Sequence, residues 1–540
     1  MRFQRIFQAI SLGLFLLLLS FATFPHGEGL PFDLFLRLDP LIGLGTMIAA
    51  REWIPSLMPC LAVVMLTLVG GRLFCGHICP FGITLDMVQS VSKRKTGGTV
   101  AQDTYEATSS YRTWKYLFLI IILAASVCSV SLVNLGSPIS FATRFYGLVV
   151  HPLMVLAADV GLEICTPFLL QTSWADFAYV DVGQRIFATN GFVLTFVAVN
   201  AALAYVQPRF WCRNLCPAGA ILALVSRVSL IRRTVSEACI RCGRCIRECP
   251  TACIGENPAH AVSPECIVCL RCKEVCPVSA ISFQFIRSQP CCEVRQPDLS
   301  KRQVLIACGS GLILSGAMLT GLGQARSRVR ERMPVDPFLL RPPGALPEPL
   351  FLARCIRCGE CMKACPTNTL QPVWFMAGLE GIFSPVMVPR LAACATECHR
   401  CGQVCPTGAI RDIPLIEKNH AKVGTAWIIR EHCLVWDQDK KCLVCDEVCP
   451  FNAVSFHPVP GRVNPVPFVK ANRCTGCGWC ECRCPVEGSA AIRVNIRGEV
   501  RLAQGSYVEK AREYGFLFKV RDPQEGRALE GNEEVQYPVE

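Results

Sequence analysis

The sequence predicts an α-helical membrane domain of four spans, with a fifth apolar run behind it, joined to two cysteine-rich α+β domains. Three observations carry this expectation. Hydrophobic residues make up 51% of the 540 positions and the mean hydropathy is +0.37, too apolar for an ordinary soluble chain. Uncharged runs long enough to cross a bilayer crowd the first half. The chain also holds 36 cysteines, many at fixed spacings that a large core does not need for packing or for disulfide staples.

The expected spans are 6–24, 54–71, 116–137 and 186–206, all without charge. A signal peptide is the competing reading of the first, disfavoured by its length and by the lack of an obvious small-residue cleavage site. The stretch 145–170 has an apolar run followed by Asp159 and Glu163 and is read as re-entrant or interfacial. Parity supports that reading. Lys93, Arg94, Lys95, Arg112 and Lys115, and later Arg213, Arg227, Arg232 and Arg233, belong on the cytoplasmic side, and four spans put both groups there. Arg144, His151, Asp159 and Glu163 read as ordinary interfacial charges, with proton acceptance from a quinol as the sharper alternative.

The membrane domain is thus expected over 1–233, a cysteine-rich domain over 234–296, a further span or export segment over 297–327, a Pro-rich extended linker over 328–350, a second cysteine-rich domain over 351–500 and a charged tail over 501–540. The formal charge of +12 fits cytoplasmic loops. No aromatic-interleaved basic patch accompanies it, so nucleic acid is not an expected partner.

The chemistry lies in the unit C-x₂-C-x₂-C-x₃-C-P. It occurs at Cys239, Cys242, Cys245, Cys249 and at Cys266, Cys269, Cys272, Cys276. Three close thiolates hold three corners of a [4Fe–4S] cubane, and the fourth reaches the neighbouring cluster. The expected sets are therefore Cys239, Cys242, Cys245 with Cys276, and Cys266, Cys269, Cys272 with Cys249. Zinc is the alternative for four thiolates, but it does not require this interleaved triplet. In the second domain Cys355, Cys358, Cys361, Cys365 and Cys474, Cys477, Cys480, Cys484 keep the rule, while Cys394, Cys398, Cys401, Cys405 and Cys433, Cys442, Cys445, Cys449 stretch it. Which groups exchange their fourth cysteine is not readable. Cys394-x₃-Cys398-His399 is one residue too long for a c-type haem site. Gly309-Ser310-Gly311 lacks the preceding strand of a nucleotide-binding loop. The expectation is about six clusters.

Two pairs differ: Cys75-Gly-His-Ile-Cys79-Pro80 and Cys212-Arg-Asn-Leu-Cys216-Pro217. Each follows an expected span, and cysteines four apart share a helical face. Together they make a hypothetical additional metal centre at the membrane interface; buried thiols or a disulfide are the bland alternatives. Cys60, Cys128, Cys165, Cys253, Cys291, Cys292, Cys308 and Cys482 are left as packing residues.

With these motifs placed, residues 1–296 resemble the NapH-type membrane ferredoxins, on CGHICPFG, CRNLCPAGA and the two cysteine groups that follow. Residues 338–495 resemble the NapG-type ferredoxins, on RPPGA, CIRCGECMKACP, HRCGQVCPTGAI and NRCTGCGWCECRCP. Methylamine-utilisation ferredoxins are similar. The resemblance implies ferredoxin-like α+β iron–sulfur domains on one fused chain in the bacterial inner membrane. It implies electron transfer from quinol, or a quinol-oxidising partner, toward a periplasmic reductase or cytochrome c. Such a chain is an electron-transfer component rather than a stand-alone enzyme. An accessory, maturation or regulatory iron–sulfur protein for a respiratory metalloenzyme is the alternative. The first cysteine block is expected in the cytoplasm and the second in the periplasm, because Ser300-Lys301-Arg302-Gln303-Val304-Leu305 before the apolar run 303–325 resembles a twin-arginine export signal. Arg326, Arg328, Arg330 and Arg332 oppose export.

Overall fold

The structure, a computed structural model, describes residues 2–23, 31–95, 111–170, 185–187, 190–255, 257–258, 263–285, 299–319 and 336–520. Two compact units divide the chain. The first comprises Met1–Met387 and His399–Asp412, the second Val388–Cys398 and Ile413–Glu540. The cysteine-rich stretch expected as one domain over 351–500 is thus shared between them.

In the first unit, Arg2–Phe21 forms a 20-residue helix where the first span is expected. The runs at 54–71, 116–137 and 186–206 give shorter apolar helices, Pro55–Gly70, Thr113–Val127 and Asn190–Tyr205; Pro40–Ala50 and Pro217–Val228 are also apolar and short. Among the described residues, two helices are long and apolar enough to cross a membrane: Gln4–Phe21 and Pro138–Pro167.

The second of these takes in the stretch 145–170, expected as re-entrant or interfacial, and is helical as far as Leu169. Pro138–Phe145 continues through a wide π-type turn, Tyr146–Val150, into His151–Leu169. Pro152 has no N–H to give and its ring crowds the preceding turn. The widened turn just before it accommodates this without ending the helix. Asp159 and Glu163 lie four apart and so share one face, leaving the others apolar. The premise of the parity count holds: Arg112 donates to Thr251 O, Lys115 pairs with Glu265 and Arg233 donates to Pro258 O, so both basic groups lie with the first cysteine block.

Lys301–Leu319 is helical and packs along Thr113–Val127. A Cβ at Gly311 would come within 2.8 Å of Ala124 Cβ and Ile121 O, so a small residue is needed there for the backbones to approach. Arg326, Arg328, Arg330 and Arg332 lie outside the described residues.

The expected linker 328–350 is extended where described, but it is built into the first unit. Leu339, Leu340 and Leu346 are buried, and the buried Arg341 pairs with Glu348 at 2.5 Å. Ala345 bridges to Ile410. The tail is likewise partly built in. Tyr507–Glu513 is a helix whose start is held by Glu417, which accepts from Ser506 Oγ at 2.6 Å and Tyr507 N at 2.5 Å.

The α+β expectation is met, among the described residues, by four antiparallel two-stranded sheets. Ile231–Val235 pairs with Ile281–Phe285, and Leu370–Pro372 with Pro385–Met387, in the first unit. In the second, Thr425–Ile428 pairs with Ile492–Asn495, and Val454–His457 with Val466–Val469. A short helix carries the third cysteine of each group, Cys245, Cys272, Cys361, Cys401, Cys445 and Cys480.

Candidate iron–sulfur centres

The cysteine loops share one backbone. The residues flanking the middle cysteine are left-handed in Arg241 and Gly243 (φ 51 and 69), Val268 and Leu270 (51 and 62), Arg357 and Gly359 (51 and 83), and Gly476 and Gly478 (80 and 90). Such paired reversals curl a short segment. They are strained for side chains other than glycine. The third residue after a Cys-Pro cysteine is left-handed too, at Ala252, Ser279, Asn368, Gly408 and Asn452. There a turn directs a backbone N–H back to the thiol: Ala280 N to Cys276 Sγ at 3.3 Å, Ile410 N to Cys405 Sγ at 3.4 Å and Ala453 N to Cys449 Sγ at 3.3 Å. These donors stabilise a thiolate.

Three sets of four thiols line single cavities. Cys239, Cys242, Cys245 and Cys276 surround one of about 330 Å³, the grouping expected from the exchange rule. In the second unit, Cys433, Cys442, Cys445 and Cys484 surround one of about 410 Å³, and Cys449, Cys474, Cys477 and Cys480 one of about 340 Å³. The thiols of that pair, whose exchange is unreadable from sequence, are thus grouped as the same rule would group them. Burial and mutual repulsion push the Cys445 and Cys477 thiols up to about 12. A bound cation is what offsets such repulsion. Among the described residues no three His, Cys, Asp or Glu side chains close on a single-ion site.

The remaining sets are less closed. Cys269 and Cys272 interact electrostatically with Cys249, as expected for Cys266, Cys269, Cys272 and Cys249. Cys253, expected only as packing, stands 3.5 Å from Cys249 Sγ. In the first unit Cys355, Cys358 and Cys361 gather with Cys405, and Cys361 also senses Cys401. Cys394 and Cys398 belong to the second unit, where Cys394 N donates to Cys477 O at 2.9 Å, whereas Cys365, Cys401 and Cys405 belong to the first.

The pairs Cys75/Cys79 and Cys212/Cys216 come together. Cys216 interacts electrostatically with Cys212, Cys75 and Cys79. Cys75 sits in a π-type turn, Phe74–Ile78, closed by Cys79 N donating to Phe74 O at 2.9 Å. Cys79 and Cys216 each immediately precede a helix beginning with proline, and Cys216 Sγ accepts from Gly219 N at 3.2 Å. The helix N-terminus favours the thiolate. The four thiols are a chemically suitable set for a cluster.

Buried ion pairs seat the first block on the helices. Glu265 binds Lys115 at 2.5 Å and Arg72 at 3.0 Å, and accepts from Tyr116 OH at 3.1 Å. Asp86 binds Arg209 at 2.8 Å and Arg271 at 3.3 Å. Burial alone would raise the Asp86 carboxyl, but the Arg209 and Arg271 guanidiniums hold it at about 2. The second block's first loop is seated by cations on carbonyls. Arg357 donates to Ser131 O at 2.6 Å and Asn134 Oδ1 at 2.8 Å, while Lys363 donates to Leu19 O, to Ser20 O at 2.9 Å and to Thr23 Oγ1 at 2.9 Å. Of these seating residues, sequence reading named only Lys115, as a charge of the cytoplasmic side. For Arg271 and Arg357, a basic residue inside the C-x₂-C-x₂-C loop was the available signal.

Comparisons with known proteins agree with this chemistry. A 4Fe-4S binding domain family matches residues 53–98 and 189–236, which contain the Cys75/Cys79 and Cys212/Cys216 pairs, and a 4Fe-4S dicluster domain family matches 354–409. The methylamine utilization ferredoxin-type protein MauM of Paracoccus denitrificans is 41% identical over 200 residues, covering 36% of this chain and 82% of that protein. MauM of Methylorubrum extorquens is 38% identical over 209 residues, 36% of this chain and 88% of that protein. The ferredoxin-type protein NapG of Escherichia coli is 34% identical over 212 residues, 37% of this chain and 87% of that protein.

Proposed function

The chain belongs to the family of ferredoxin-type proteins that includes MauM and NapG, and on that premise we propose that it is a membrane-anchored polyferredoxin passing electrons from the quinol pool toward a periplasmic reductase or cytochrome c. Ferredoxin-type electron transfer by 4Fe–4S groups is the shared property of the family. Such a group supplies reversible one-electron storage when bound. The residues proposed to hold six of them are the 24 cysteines of the C-x₂-C-type groups, with Cys75, Cys79, Cys212 and Cys216 holding a further one. The chain's own contribution is to bury those thiols, aim N–H donors at them and set them at fixed stations.

One observation carries the membrane assignment. The two cysteine blocks of the first unit touch opposite ends of the same helix, Arg2–Phe21. Arg271 of the first block reaches Gln4 at 3.2 Å, whereas Lys363 of the second grips Leu19 and Ser20. The intervening length, about 22 Å at 1.5 Å per residue, carries outward-facing Ile6, Ile10, Leu14 and Leu17, as a lipid-facing helix should. On this reading the shorter apolar helices complete a four-span or larger domain, a NapH-like half is fused to a NapG-like half, the first block faces the cytoplasm and the second the periplasm. Quinol enters directly or through a quinol-oxidising partner.

Membranes from a strain lacking the protein test the direction of flow. Quinol-driven reduction of at least one periplasmic acceptor is expected to fall and to return on complementation. Unchanged rates with every periplasmic acceptor would count against the assignment.

A further inference from the structure

The first unit also places a bridge between its cysteine sets. Three successive stations lie along Arg2–Phe21. At the lowest, Ile267, between Cys266 and Cys269, presses on Gly76, where an added Cβ would lie 2.4 Å from Ile267 O. Gly76 is bonded to Cys75. Gln8 Nε2 donates to Gly76 O at 3.0 Å and Ser11 Oγ to Ile78 O at 2.9 Å, which fixes the Cys75/Cys79 pair near the first half of the helix. The loop of Cys358, Cys361 and Cys365 grips Leu19, about 16 Å further along from Gln8 at 1.5 Å per residue.

Aromatic side chains fill that interval. Trp211, bonded to Cys212, meets Phe141 edge-on at 5.2 Å between centroids. Phe81, two residues from Cys79, lies 6.1 Å from Phe141 and 6.3 Å from Trp211. Phe196 stacks on Phe141 at 4.3 Å. Arg144 lies over the Phe141 ring at 4.7 Å, and its stem would be 3.5 Å from a Cβ at Gly359, next to Cys358. Cys79, Cys216, Phe81, Phe141, Trp211, Ile356 and Cys358 belong to one continuous buried cluster. A membrane core can be packed with leucine and valine. Here the ring-bearing residues are gathered between two thiol sets, and both Cys-x₃-Cys-Pro segments present one to Phe141.

We propose that this chain conducts electrons across the membrane between its two cysteine blocks, and that Phe141, flanked by Trp211 and Phe81, is the bridge joining the Cys75/Cys79/Cys212/Cys216 set to the loop carrying Cys358. Close-packed π-systems couple donor and acceptor electronically better than saturated side chains across the same gap. The net event transfers one electron. A reduced one-electron protein carrier on one side is oxidised, an oxidised one on the other side is reduced, and no bond or proton moves in the chain. This rests on the reading of the cysteine sets as clusters, and it adds a route that does not require quinol.

The test uses the full iron-loaded chain in vesicles of quinone-free lipid with ferricyanide trapped inside and dithionite, a one-electron reductant through its radical anion, added outside. Iron per chain is measured on the same vesicles. The expected result is bleaching of trapped ferricyanide well above that of empty vesicles. F141L should lose most of that rate at unchanged iron content and unchanged cluster EPR signals, while F141Y, which keeps a ring, should retain it. The double variant C75S/C212S should lose about four iron atoms per chain along with the bleaching. If F141L fails to assemble, W211L is read instead. Fully loaded protein that leaves the trapped oxidant untouched would overturn conduction. Loaded F141L as fast as the parent would overturn the bridge, and C75S/C212S with undiminished iron would overturn the intermediate set. Low iron in the parent would instead defeat the cluster reading beneath the proposal. Adding quinol to the same vesicles scores the quinol reading separately.

Discussion

The two cysteine blocks of the first unit are seated by different physics. The Cys239–Cys276 block is held by closed ionic networks, Glu265 with Lys115 and Arg72, and Asp86 with Arg209 and Arg271. The Cys355–Cys365 loop is held by Arg357 and Lys363 on backbone and amide oxygens. Those two cations form no salt bridge among the described residues. The first arrangement sets two carboxylates among four cations. The second leaves positive charge beside four thiols, and a thiolate-ligated cubane is net negative. Lys363 also caps the C-terminal carbonyls of Arg2–Phe21, where a cation complements the helix dipole. One block is therefore clamped by carboxylates of its own, while the other is clamped by cations on neutral oxygens.

The sharpest way to break this contrast is Glu265→Gln. It leaves Lys115 and Arg72 buried without a counter-charge and is expected to destabilise the seat of the first block by about 3–5 kcal/mol. Hydrogen exchange over 263–285 should rise while exchange over 351–365 stays unchanged. Lys363→Met should act in the opposite place. Charge-assisted hydrogen bonds contribute about 1.5–3 kcal/mol, so exchange over 351–365 should rise by that order, and more steeply in iron-loaded protein than in iron-free protein.

Acid separates the seats next. Asp86 is held at about 2 against an ordinary 3.8, once the guanidiniums outweigh burial. A depressed carboxylate contributes stability above its unfolded value and loses it as pH falls through the folded one. The contribution, roughly 2 kcal/mol at about 1.4 kcal/mol per unit, should hold from pH 5 upward and fade between about pH 4 and pH 2. Exchange near Arg271, followed against pH, reads it. The smallest expected effect is Leu270→Gly. Leu270 occupies left-handed backbone (φ 62) where the matching loops have Gly243 and Gly359. Removing its Cβ should stabilise the first block by up to about 1 kcal/mol, visible as a small rise in its melting temperature.

The thiol spacing made the cysteine sets legible, because ligation by three close residues and one distant one is a local rule. Cys239, Cys242, Cys245 and Cys276 were readable for that reason. The exchange of Cys449 and Cys484 was not, because two stretched groups leave several pairings open and only the fold of Val454–His457 against Val466–Val469 and its neighbours decides. Asp336–Leu346 read as a linker on its prolines, since nothing in the sequence signals that Arg341 will be buried against Glu348 and Phe351. Seating residues such as Lys363 depend on partners more than 300 positions away in the chain, a separation that no local pattern encodes.

The central claim is that the two blocks work on opposite faces of a membrane. The most direct test fuses alkaline phosphatase, active only outside the cytoplasm, and green fluorescent protein, fluorescent when folded inside, after residue 285 and, in separate strains, after residue 520. The account predicts fluorescence without phosphatase activity at 285, and phosphatase activity without fluorescence at 520. Fluorescence without phosphatase activity at both positions would contradict it.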